Sequence, residues 1–189
     1  ALDSPVPERP VVKEAPRALS TISKSTALGG DGWSPSELEA LPDESIEGAI
    51  GCFASWATKV AVPLQVLLAI MVLLATLTGG HRTIALLAMM YRWWARLRKD
   101  IVSQWEDGFV GSWDTAVKGS SALRAAMSRA FKVEHAALVG ASAATLYWDI
   151  EQIYDSISFD KLIPAAVEFG YPARMLYITL AVHVAPRAL

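Results

Sequence analysis

Asp149 is the residue whose type and position most clearly suggest a chemical role. It closes a short apolar and aromatic stretch, residues 143–150, which we expect to form a strand. Tyr154 follows five residues later. A carboxylate held rigidly at a strand end is suited to a hard metal ion, and a nearby ring can form a wall beside a sugar. The pattern therefore predicts Asp149 as a metal ligand in a triphosphate site. The alternative is that Asp149 only caps the chain or hydrogen-bonds locally.

A second group combines basic and aromatic side chains within eight residues. Its members are Arg92, Trp93, Trp94, Arg96, Arg98 and Lys99. Cations interleaved with indole rings suit nucleic acid or anionic lipid headgroups. The alternative is a helix whose charged side faces solvent while its aromatic side packs inward.

The remaining metal-ligating and nucleophilic residues form no motif. Cys52 is the only cysteine, which excludes a disulfide framework and a zinc site built from cysteines. His81, His135 and His183 are too far apart in sequence to show ligand spacing. We interpret the three histidines as structural or surface residues and Cys52 as a small buried apolar side chain on a helix.

Composition places the chain among folded proteins rather than disordered ones. Of its 189 residues, 53% are apolar and 19% are charged, with a net charge of −2. The charge balance excludes a general polyanion binder. Residues 1–30 hold four prolines and a Ser/Thr-rich stretch, which predicts a flexible arm. Residues 31–189 are then expected to form one domain.

Most of the apolar character lies in residues 60–80, which carry no charge at all. Pro63 near the start and Gly79-Gly80 at the end suit the limits of a helix. About 20 helical residues span the hydrocarbon core of a bilayer. Residues 60–80 are therefore predicted to form one long apolar helix, with two alternatives left open. The helix either crosses a membrane or is buried inside a soluble domain.

Helical patterns dominate the rest of the chain. Ser34-Pro35-Ser36-Glu37 forms a capping box that predicts a helix start. Further helices are expected from Asp43 and over 95–105, 115–133, 158–169 and 173–184. The 115–133 helix carries a basic face of Lys118, Arg124, Arg129 and Lys132. The predicted fold class is mainly α with a small β element, an α+β fold.

Several segments together resemble the reverse transcriptases of retroelements of the non-LTR type. The stretch WDIEQIYDSISFDKLI, residues 148–163, resembles their first palm motif. Upstream, GGDGW at 29–33 with LP at 41–42 is similar to the opening of such domains, and GGHRTIALL at 79–87 is similar to their fingers motif. Tyr91-Arg92 and GSS at 119–121 also follow the family. The resemblance covers residues 29–189 and implies a partial fingers and palm domain.

The resemblance implies roles for three residues. Asp149 would be an aspartate of the palm that binds Mg²⁺, Tyr154 would be the gate that rejects a 2′-hydroxyl, and Arg82 would contact the incoming triphosphate. Two-metal phosphoryl transfer, however, needs several converging carboxylates. This chain contains no Asp-Asp pair, which the family supplies further along. We therefore expect a catalytically incomplete fragment, without a working cofactor, that serves a structural or binding role.

The alternative function belongs to another class of protein. Residues 60–80 would lie in a membrane, and the chain would be a single-span accessory subunit of a larger complex. A photosynthetic or respiratory assembly of an alga is an example, since the retroelements in question are abundant in algal genomes. Its partners would be other protein subunits and pigments. Under the first hypothesis the chain is soluble and intracellular and binds nucleic acid weakly. The sequence leaves both localisations open.

Overall fold

The computed structural model describes residues 5–77, 79–111, 114, 115, 119, 121–146 and 156–188. The chain divides into two compact units, residues 1–105 with 163–189 and residues 106–162. The expected single domain over 31–189 stays a prediction. The last segment of the chain belongs to the same unit as the first 105 residues, which the sequence pattern does not indicate.

The described residues are mainly helical with a small three-stranded sheet, which confirms the α+β fold class. The helical elements are a 3-10 turn at Val12–Glu14, α1 at Ala15–Ser20, α2 at Pro35–Glu39, α3 at Asp43–Lys59, α4 at Leu64–Leu67, α5 at Met89–Leu97, α6 at Lys99–Asp107, α7 at Ala122–Leu138, α8 at Phe159–Glu168 and α9 at Ala173–Val184. The strands are β1 at Ala69–Ala75, β2 at His81–Leu86 and β3 at Arg187–Ala188.

The predicted capping box at the start of α2 is confirmed. The backbone N–H of Glu37 donates to Ser34 Oγ at 3.2 Å, and the backbone N–H of Ser34 donates to Glu37 Oε2 at 2.8 Å. Hydrogen bonds to the carboxylate favour its charged form, so they hold the pKa of Glu37 below its ordinary value. The box satisfies two backbone donors that the first turn would otherwise leave without partners.

The core of the first unit is built around α3. Ile46, Ile50, Phe53 and Trp56 recur at helical spacing, and all four are buried as that spacing predicts. The prediction that Cys52 is buried is wrong, because Cys52 lies outside this stripe of α3 and is exposed. Phe53 meets the ring of Trp93 from α5 edge to face, with centroids 5.3 Å apart. Residues from four other helices contribute to the cluster, among them Ala15 and Leu19 of α1, Leu38 of α2, Met89 of α5, and Met175, Ile178 and Val182 of α9.

The prediction of one long helix over residues 60–80 is wrong. Val60 ends α3 in the left-handed conformation, with φ 52°, and α4 lasts only from Leu64 to Leu67. The chain then extends into β1, turns, and returns antiparallel as β2, so that Ile70 pairs with Leu86 and Ala75 with His81. Among the described residues, no helix combines the length and apolar character needed to cross a bilayer.

The turn between the strands explains this outcome. Thr76 donates its backbone N–H to the carbonyl of Gly80 at 2.8 Å, and Gly80 donates back to Thr76 Oγ1 at 3.0 Å. Gly79 adopts φ 85°, which a residue with a side chain rarely does. Gly79 and Gly80 therefore reverse the chain between two strands rather than ending a helix. Uncharged aliphatic residues suit either structure, so the turn decides.

The segment predicted to be a flexible arm contributes to the core instead. In α1, Ala15 and Leu19 are completely buried, and Ile22 just after it is 4% exposed. The backbone carbonyl of Ala15 accepts a hydrogen bond from the indole of Trp93 at 3.1 Å. Pro16 lies in the first turn of α1, where its missing N–H removes no hydrogen bond within the helix.

The second unit contains α7. Its start is set by Ser121, whose Oγ accepts from the backbone N–H of Arg124 at 3.1 Å. The helix predicted over 115–133 therefore begins and ends later, and Lys118 of its predicted basic face lies outside the described residues. Residues 143–146 of the predicted strand have no regular structure, and residues 147–150 also lie outside the described part.

Candidate functional site

The predicted metal site falls in a part of the chain that the structure does not describe. Asp149 and Tyr154 both lie between residues 147 and 155, outside the described residues. Within the described part, no three histidine, cysteine or acidic side chains converge as a metal site would require. The metal and sugar-gate roles of these two residues stay predictions.

Arg82 occupies the second position of β2, where it pairs across the hairpin with Leu74. Its side chain is exposed, and it forms no ion pair within the described residues. The turn at Gly79 and Gly80 lies only two residues away, so Arg82 is carried near the end of a projecting hairpin. An exposed guanidinium in this position is free to donate to a phosphate.

The basic and aromatic residues of α5 do not share one surface. Trp93 is completely buried and Trp94 is 2% exposed. The ring of Trp94 stacks on Tyr91, with centroids 5.5 Å apart. Arg96 and Lys99 are exposed. The helix thus has its aromatic side in the core and part of its charge in solvent, as the structural alternative for this group describes.

Arg98 is also in the core, where it is 4% exposed. Its Nη1 donates to the backbone carbonyl of Glu8, which fastens the start of the chain to the end of α5. Its Nε and Nη2 are buried and have no hydrogen-bond partner within the described residues. Burial disfavours the charged form and lowers the pKa of Arg98. The position of Arg98 indicates a structural role.

Arg92 instead borders a cleft. Its Nη1 donates to the carbonyl of Ala27 at 3.1 Å, and its Nη2 donates to Thr26 Oγ1. The cleft measures about 250 Å³ and is lined by Thr26, Ala27, Ala85, Leu86, Leu87 and Arg92. Partial burial, followed by the repulsion of Arg96, lowers the pKa of Arg92, and Asp31 opposes both effects. An anionic group entering this cleft would meet a guanidinium already held in place.

Asp31 connects the neighbouring segment to α5. Its Oδ2 accepts a hydrogen bond from the backbone N–H of Met90 at 3.0 Å, in the first turn of α5. Its Oδ1 is buried without a hydrogen-bond partner among the described residues. A carboxylate at a helix start is stabilised by the helix dipole. Asp31 therefore fixes where α5 begins, beside the cleft.

Gly29 allows the two segments to approach closely. A Cβ atom on Gly29 would lie 2.2 Å from the carbonyl oxygen of Leu87 and 2.7 Å from Cα of Ala88. The segment at 29–33 therefore packs directly on the chain between β2 and α5, about fifty-five residues away in sequence.

Sequence reasoning did not identify Thr26 as part of a cleft or Asp31 as a cap of α5. Asp31 belongs to the quoted GGDGW stretch, but the pattern assigned no role to its carboxylate. The sequence signal that could have indicated this contact is a pair of glycines followed by an acidic residue. The glycines permit close approach of two backbone segments, and the carboxylate can cap a helix that is distant in the chain. Its partner, Met90, is not identifiable from the spacing.

Comparison of the chain with protein-family models, curated proteins and solved structures found no match.

Proposed function

We propose that this chain is a reverse-transcriptase-like segment that binds nucleic acid and does not polymerise it. One observation carries the proposal. The two stretches that resemble the opening and the fingers motif of such domains, 29–33 and 79–87, lie together in space. Gly29 packs on Leu87, and Asp31 caps α5 directly after the second stretch. Residues that serve one function are expected to be assembled in this way.

The charge distribution supports a polyanionic partner. Residues 48–99 contain no aspartate or glutamate, while they include Lys59, Arg82, Arg92, Arg96, Arg98 and Lys99. Four of these cations are exposed: Lys59, Arg82, Arg96 and Lys99. Local positive charge attracts the phosphate backbone even where the net charge of the protein is slightly negative. Arg82 on the hairpin is the residue that we assign to phosphate contact.

The absence of polymerase activity is proposed from the sequence. Two Mg²⁺ ions in a polymerase palm need several carboxylates, and these 189 residues contain no adjacent pair of aspartates to join Asp149. The available donors therefore do not fit a two-metal centre, and we assign no step to Mg²⁺. The single-span membrane function depended on a helix over 60–80. Since those residues form α4, β1 and a turn, we do not propose it.

The proposal is tested by the binding of a fluorescent RNA–DNA primer–template duplex, followed by anisotropy at several salt concentrations. We expect weak binding that falls steeply with salt, because phosphate contacts release counterions. Arg82→Gln should weaken binding several-fold and reduce the salt slope by about 1. Arg17→Gln, at an exposed arginine of α1, is the matched control and should leave binding unchanged.

Two results would contradict the proposal. Equal affinity of Arg82→Gln and the unaltered chain would show that Arg82 does not contact the duplex. Absence of binding at low salt would show that nucleic acid is not the ligand. Extension of the primer when deoxynucleotides and Mg²⁺ are added would refute the non-catalytic part, whatever the binding result.

A further inference from the structure

The large apolar side chains of α7 face solvent. Leu123, Met127 and Phe131 follow one another at intervals of four residues and form one row, with exposed fractions of 71%, 49% and 61%. The least exposed positions of the helix are Ala125 and Ala136, which lie on the opposite side. An amphipathic helix of a globular domain normally turns its apolar stripe toward the core. No residue of α7 is buried, so its apolar row has no core to pack against.

Basic side chains border the apolar row. Arg124, Lys132 and His135 lie beside it, and together with Leu123, Met127 and Phe131 they line an open groove of about 600 Å³. Between residues 122 and 138 the only acidic residue is Glu134, against two arginines and one lysine. A partner for this surface must therefore be apolar in its middle and anionic beside it.

We propose that α7 binds to the surface of an anionic phospholipid bilayer. A helix of 17 residues is about 25 Å long, enough to lie in the plane of the interface with its apolar row among the acyl chains. Arg124 and Lys132 then reach the phosphate and serine headgroups from the edge of the row. The contact is peripheral and needs no membrane-spanning segment. It is independent of the nucleic-acid binding assigned to Arg82.

The charges of α7 argue against a second copy of the chain as the occupant. A copy would bring the same basic residues to the interface, and its only acidic residue in this helix is Glu134. Glu134 lies three residues after Phe131 and seven after Met127, so it falls on the apolar side of the helix. A carboxylate there opposes both apolar burial and approach to an anionic surface. This position provides the sharpest test.

The test measures co-sedimentation of the full chain with phosphatidylcholine vesicles, with and without phosphatidylserine. We expect binding only where phosphatidylserine is present, weakening as salt is added. Replacing Leu123 and Phe131 together by serine should lower binding at least about tenfold, because two apolar side chains are lost from the interface. Leu77→Ser, at a fully exposed leucine of the hairpin turn, is the matched control and should bind as the unaltered chain does.

Glu134→Gln should raise binding to the phosphatidylserine vesicles by about fivefold, the effect of one charge near such a surface. Glu168→Gln, at an exposed glutamate of α8, should not. Equal binding to both vesicle types, or no effect of the Leu123 and Phe131 replacements, would overturn the proposal. So would failure to bind vesicles combined with self-association that the same replacements abolish. Preference for an acidic peptide over the vesicles would identify another class of partner and would also overturn it.

Discussion

Helix α5 and the β1–β2 hairpin are adjacent in sequence. The segment with more charged residues, α5, has the more deeply buried side chains, and the more apolar hairpin is the more exposed. The nine residues of α5 include Arg92 and Arg96, yet Trp93 is completely buried. The hairpin has a single charged residue, Arg82, but Leu73, Leu74 and Ile84 are 53%, 46% and 39% exposed. The more polar segment of the two therefore contributes more side chains to the core.

The geometry of each element explains the difference. In a helix, residues three and four apart share a face, so Met89 and Trp93 point into the core while Arg96 remains in solvent. A two-stranded ribbon has two faces and no such concentration of its large side chains. Within the described chain, no helix packs along the length of either strand. Hydropathy measures what a segment contains, and burial depends on what packs against it.

Truncation of one apolar side chain in α5 and one in the β1–β2 hairpin should give the largest difference in stability between the two regions. Trp93→Ala should lower the free energy of unfolding by about 3–5 kcal/mol, because it leaves a cavity beside Phe53 and removes the hydrogen bond from the indole to the Ala15 carbonyl. Leu73→Ala, in the exposed part of β1, should cost below about 1 kcal/mol. Urea unfolding followed by circular dichroism measures both. Equal losses would mean that the hairpin is as much a part of the core as α5.

A smaller effect is expected where the 29–33 segment contacts the chain between the two regions. Gly29→Ala places a Cβ against the Leu87 carbonyl, which cannot move as a flexible side chain would. We expect a loss of about 1–3 kcal/mol, typical of overpacking. Gly48→Ala in α3, where a Cβ meets nothing within 4 Å, is the control and should not destabilise. A loss no larger than that of the control would show that the close contact is absent in solution.

The smallest effect is expected at the hairpin turn. Leu77 is fully exposed, so Leu77→Ser removes no packing and should change the free energy of unfolding by less than about 0.5 kcal/mol. Its benefit should be solubility, because exposed apolar residues beside unpaired strand edges favour aggregation. Light scattering on concentrated samples measures this. Marked destabilisation would indicate that the turn packs against another part of the protein.

Local signals in the sequence predicted local structure well. Ser34 and Glu37 form their capping box, the buried positions of α3 follow their spacing, and Gly170 ends α8 in the left-handed conformation. Each of these depends on residues within a few positions of one another. The apolar run at 60–80 has no such periodicity. Of its two local signals, Pro63 precedes only the short α4, and Gly79-Gly80 is compatible with a helix end or a turn.

The candidate site was less predictable than the fold. Thr26 and Arg92 line one cleft, and Asp31 caps the neighbouring α5. Nothing in their sequence spacing indicates that Asp31 caps α5 or that Arg92 donates to Thr26. The sequence showed that Trp93 and Trp94 lie among basic residues. It did not show that the two indole rings point into the core. Contacts between residues more than fifty positions apart depend on how the helices pack.

By itself, the sequence determined the α+β class, the starts of α2, α3, α8 and α9, and the concentration of apolar residues at 60–80, because these follow from composition and short-range spacing. Only the tertiary structure decided that these residues pair as strands, that the aromatic side of α5 is buried, and that α1 joins the core. The physical reason is that backbone pairing and side-chain burial need partners distant in the chain. The conformation of a segment therefore depends on its tertiary contacts as well as on its own amino-acid sequence.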